Sequence, residues 1–230
     1  MNNILTATLE RHGIDKHYVD VDMCVTEARG ACNFTSGERE ECMFGFPKRA
    51  VLFSIETLIR HGSDFFKSPE YHIKSYIKQL YTPRETDQFF KCIALVAVWA
   101  EDNQTIKETD LQNPQNVSAH IQNIADSFGI PVNHELVEIV RFSLMAYTHF
   151  QILFRNESEE YTFSHNLIGE MLGVVLGQHN PRECIKLCGR EVLMKRITIS
   201  KTDIEGLKVS IPEIFYPELC VKFEQKRSFR

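Results

Sequence analysis

Apolar residues recur at helical spacing in nearly every segment of this chain up to Ala146, and they change to strand-like alternation only once, between Thr148 and Ser164. That single change of period points to a mostly α architecture carrying one β-hairpin. Ile4, Leu5 and Leu9 share a face of a helix predicted over Asn2 to His12, which Gly13 stops. A second short helix is predicted from Asp22 to Cys32. Pro47 suits the first turn of the next helix, where its missing N–H costs nothing; Ala50, Val51, Leu52, Phe53 and Ile55 form its apolar body and Gly62 ends it. Pro69 opens a helix with Ile73, Ile77 and Leu80 on one side, and Pro83 opens the most hydrophobic one, Glu85 to Glu101.

Polar residues from Asp102 to Asn116, Pro114 among them, read as a linker and divide the chain into residues 1–110 and 111–230. Two further helices are predicted at Val117 to Phe128 and His134 to Ala146. Thr148 to Arg155 and Tyr161 to Ser164 follow as hairpin strands around a polar turn at Asn156 to Glu160. Asn166 to His179 is again helical, with short helices beginning at Pro181 and Glu191. Helices followed by a hairpin and another helix match the winged-helix pattern, in which the hairpin is the wing.

The formal net charge of −5 argues against a chain whose main task is neutralising nucleic-acid phosphates. Lys222, Lys226, Arg227 and Arg230 form the one notable basic cluster, which reads as a solvated tail. Phe89 to Ala100, the longest apolar stretch, is interrupted by Lys91 and is too short to span a bilayer, so no membrane partner is expected. Asn2 and Asn3 lead directly into a polar amphipathic segment with Glu10 and Arg11, unlike a signal peptide. An odd number of cysteines, seven, then points to reduced thiols and a cytoplasmic location. On that reading the Asn-x-Ser/Thr triplets at Asn33, Asn103, Asn116 and Asn156 are surface asparagines, not glycosylation sites.

No G-x-x-x-x-G-K-[ST] occurs, so the chain has no backbone cradle for β- and γ-phosphates. Nor does it carry a G-x-S-x-G elbow, an H-E-x-x-H pair or a paired CxxC set, so no catalytic residue and no metal site is assigned. Cys184 and Cys188 lie one helical turn apart and could form half a zinc site, but no matching half is evident and core packing is the preferred reading. Gly169, Gly173 and Gly177 share a helix face that would let a neighbour approach closely. His165 stands where the second hairpin strand gives way to a helix, beside the free N–H groups of a helix start. It is either an anion contact or a capping histidine.

Gly45-Phe46-Pro47, followed by Lys48-Arg49-Ala50-Val51-Leu52-Phe53, resembles the G-x-P motif and following helix of STAND ATPases, the superfamily of NOD-like receptors and plant resistance proteins. Tyr161-Thr162-Phe163-Ser164-His165-Asn166-Leu167-Ile168 is similar to their winged-helix M-H-D-L signature or its F-x-H-D-x-I variant. Phe163 through Gly177, Pro181, Cys188, Met194 and Ile197 resembles the winged-helix end of the novel STAND NTPases of the third type. Ile4-Leu5-x-x-x-Leu9-x-x-His12-Gly13-Ile14 is similar to the segment that leaves their nucleotide-binding core. Asn166 stands where the family has Asp, which removes a carboxylate that would lock the histidine.

The resemblance implies a helical lid over 1–110 bearing Gly45 and Pro47, with the proline against adenine. It implies a winged-helix domain over 111–230 bearing His165 as the β-phosphate contact. It implies ADP or ATP bound only together with an upstream NTPase core, none bound by this chain alone, and a regulatory part in signal transduction in which the chain itself is not an enzyme. Pro47 and His165 would then lie on one side of the molecule. Two other readings compete: a stand-alone helical adaptor binding protein partners, and a winged-helix DNA-binding protein. Against the last, Val117 to Phe128 has no Lys or Arg and His134 to Ala146 has only Arg141.

Overall fold

The computed structural model describes residues 1–31, 49–81, 86–100, 105–111, 119–149, 151–199 and 206–227. It is mostly helical, with a three-stranded antiparallel sheet and a two-stranded parallel one. Two compact units are present, Met1–Tyr76 and Ile77–Arg230.

In the first unit, α1 (Asn2–Arg11) buries Leu5 and Leu9, and α2 (Val21–Ala31) buries Cys24, Val25 and Ala28. Gly13 ends α1 with φ +68°, a left-handed conformation open to glycine without steric cost. The helix foreseen up to Gly62 is divided. Residues 49–53 are helical, Ser54 Oγ donates to the carbonyl of Val51 at 2.6 Å, and helical geometry resumes as α3 (Glu56–Ile59) and α4 (Asp64–Lys67). The break lets Phe53 meet Phe65 and Phe66 with ring centroids 5.6 and 4.9 Å away, which gives this small unit an aromatic core. α5 (Pro69–Leu80) buries Ile73 and Ile77 and carries the boundary between the two units.

The second unit is built on α6 (Thr86–Ala100), in which every residue from Ile93 to Trp99 is buried. A helix apolar all round must be surrounded. Against it pack α7 (Ala119–Ser127), α8 (His134–His149) and α9 (Asn166–His179). Among the described residues no helix is long and apolar enough to cross a membrane.

The foreseen hairpin is present as β2 (Leu153–Arg155) and β3 (Glu160–Phe163), paired Leu153 to Phe163 and Arg155 to Tyr161. Its turn is held by Asn156, whose Oδ1 accepts from the backbone N–H of Ser158 and of Glu160 at 2.9 and 3.0 Å. The first strand starts later than Thr148, because α8 continues to His149 and Thr148 Oγ1 donates back to the Leu144 carbonyl at 2.9 Å. Gln151, at φ +61°, turns the chain from helix to strand.

The stretch foreseen as a linker is the largest correction. It contains β1 (Thr105–Lys107), which pairs antiparallel with β3 through Ile106 and Tyr161, and a 3₁₀ turn at Glu108–Leu111. Ile106 and Leu111 are buried, so this segment belongs to the core of the second unit, and the division foreseen at 110/111 falls inside that unit. Strand order is β1-β3-β2. A second strand pair, β4 (Ile197–Thr198) with β5 (Val209–Ser210), is parallel and was also absent from the sequence-based expectation of a single hairpin. Between and after the strands lie α10 (Pro181–Leu187), α11 (Arg190–Lys195) and α12 (Tyr216–Arg227).

Candidate functional site

The passage from hairpin to helix is built by backbone pairing. Ser164 N–H donates to the Ile152 carbonyl at 3.0 Å and its Oγ donates to the same oxygen at 3.1 Å, so β3 is pinned up to the residue before the helix. His165 follows with φ −152° and ψ 136°, the extended conformation of an N-cap, and α9 begins at Asn166. Its Nδ1 accepts from the backbone N–H of Leu167 at 3.0 Å, satisfying one of the donors that a helix start leaves over. With Nδ1 an acceptor, the neutral ring carries its proton on Nε2, which is the nitrogen able to donate to an anion. His165 is half-buried. Of the two readings drawn from its position, the cap is the one present, at Nδ1.

The turn end of the hairpin, at the other end of β3 from His165, carries a charge cluster that sequence spacing did not reveal. Glu108 takes the Arg155 guanidinium at 2.5 Å, accepts from Tyr161 Oη at 3.2 Å, and lies 3.6 Å from Arg141 Nε. Arg155 also covers the Tyr161 ring, 5.7 Å from its centroid. Burial, reinforced by the Glu108 carboxylate, pushes the Tyr161 hydroxyl above its ordinary pKa, so it stays protonated and donates. Glu108 belongs to the segment that resembled a linker, which is why the cluster was not foreseen.

Gly45 and Pro47 lie outside the described residues, so the structure places only His165 of the three expected nucleotide contacts. Cys184 and Cys188 are buried, Cys184 Sγ lying 3.5 Å from the Gly173 carbonyl, in the core between α9 and α10. The glycine face of α9 is closely approached: a Cβ on Gly173 would lie 2.8 Å from Val192 Cγ1 and 2.9 Å from Trp99 Cζ2, and one on Gly177 would lie 2.7 Å from Val209.

Two surface features went unnoticed in the sequence. A groove of ≈ 410 Å³ between α10 and α12 is lined by Ile185, Lys186, Pro217, Glu218, Val221 and Lys222. On α8, Phe142 and Met145 are 65% and 52% exposed while Leu136, Val137, Val140 and Leu144 fill the core. The signal was present: Phe142 and Met145 fall off the apolar stripe that α8 buries.

No family model matches this chain, and neither a curated protein nor a solved structure does.

Proposed function

We propose that this chain is the regulatory portion of a STAND-type NTPase switch, a helical lid and winged-helix domain that close over ADP held by a separate upstream core. The observation that carries the reading is the place of His165, set by β3 at the first turn of α9, where its Nδ1 caps the Leu167 N–H. The order α6, β1, α7, α8, β2, β3 with sheet order β1-β3-β2 supports the winged-helix assignment, in which β2 and β3 form the wing. The sequence likeness around Gly45, Pro47 and His165 supplies the nucleotide.

A nucleic-acid role is disfavoured by the same elements. Ala119–Ser127 carries no Lys or Arg, and the single guanidinium of α8, Arg141, leans on Glu108 at 3.6 Å and Glu138 at 3.9 Å.

The test is to recover the transcript preceding Met1, express the whole receptor and measure ADP release. A P-loop core should be encoded there. A hydrogen bond from an imidazole to a phosphate is worth about 1.5–3 kcal/mol, enough to shift a two-state lid roughly tenfold. His165→Asp keeps an N-cap acceptor but has no donor when ionised, so it should speed ADP release as His165→Ala does, whereas Lys48→Ala should change little. Absence of a P-loop core, or wild-type ADP retention by His165→Asp, sinks the reading.

A further inference from the structure

We draw no further inference here: the strongest candidate, the groove between α10 and α12, sets both signs of charge beside its apolar floor, with Lys186 already paired to Glu183 and Lys222 bonded to the Lys186 carbonyl, so nothing in the structure shows what covers it.

Discussion

Individual side chains in this protein sit in environments that set measurable behaviour. The rings of His61 and His72 lie 4.2 Å apart, with Phe65 and Tyr71 beside His72. Burial, and then the charge of His61, hold His72 below its ordinary pKa of 6.5, so the folded chain favours the neutral ring. Its stabilising contribution is therefore complete above about pH 6.5 and is lost as pH falls through the lower folded value. Thermal unfolding of the first unit should show a drop in midpoint between neutral and mildly acidic pH that His72→Phe reduces; an unchanged drop in that variant would assign it to other groups. In the second unit Glu170, only 7% exposed, receives Arg196 at 2.6 Å and Lys195 at 3.3 Å. Arg196 is itself largely buried and Lys195 is not, so the arginine pair carries the energetics. Removing the carboxylate by Glu170→Ala should cost about 3–5 kcal/mol in denaturant unfolding, because a buried guanidinium loses its counter-charge. A loss below about 1 kcal/mol would mean that water reaches the pair.

At the scale of elements, α9 is where backbone composition and packing meet. Its glycines cost helix propensity, and that cost is offset by the approach they permit to Trp99, Val192 and Val209. Gly173→Ala improves propensity yet forces a methyl group into contact with a rigid indole, so the net effect should be destabilisation of about 1–3 kcal/mol. Trp99 is the chain's only tryptophan and is fully buried, so its emission reports the result. A stabilised variant would mean that α9 shifts to make room. The same helix explains how legible the candidate site was. That His165 stands at a strand-to-helix junction could be read from the alternation ending at Ser164 and the helical spacing beginning at Asn166. That its Nδ1 caps Leu167, and that Glu108 gathers Arg155 and Tyr161 at the turn end of the hairpin, could not, because those partners depend on side-chain direction and on a strand far away in sequence.

On the scale of the whole molecule, the absence of a phosphate-binding loop from the sequence bears directly on activity. The purified chain is expected to turn over neither ATP nor GTP, and steady hydrolysis that a substitution within the chain abolishes would refute that. Most helices could be read in advance because an α-helix is a local object: its hydrogen bonds join residues one turn apart, and the apolar face that it will bury is written in contiguous positions. Asn2–Arg11, His134–His149 and Asn166–His179 were legible for that reason, as was the hairpin with its Asn156 turn. Tertiary structure decided the remainder. Thr105–Lys107, Ile197–Thr198 and Val209–Ser210 are too short to show a period, and each becomes a strand only because a distant segment supplies its hydrogen-bond partners. It also decided where the units divide, since burial of Ile106 and Leu111 against the second unit outweighs the polar composition around them. The sequence by itself determined which segments would coil into helices and that one hairpin would follow; long-range pairing and burial, which no local window contains, determined the sheet, the units and which face of α8 is left to solvent.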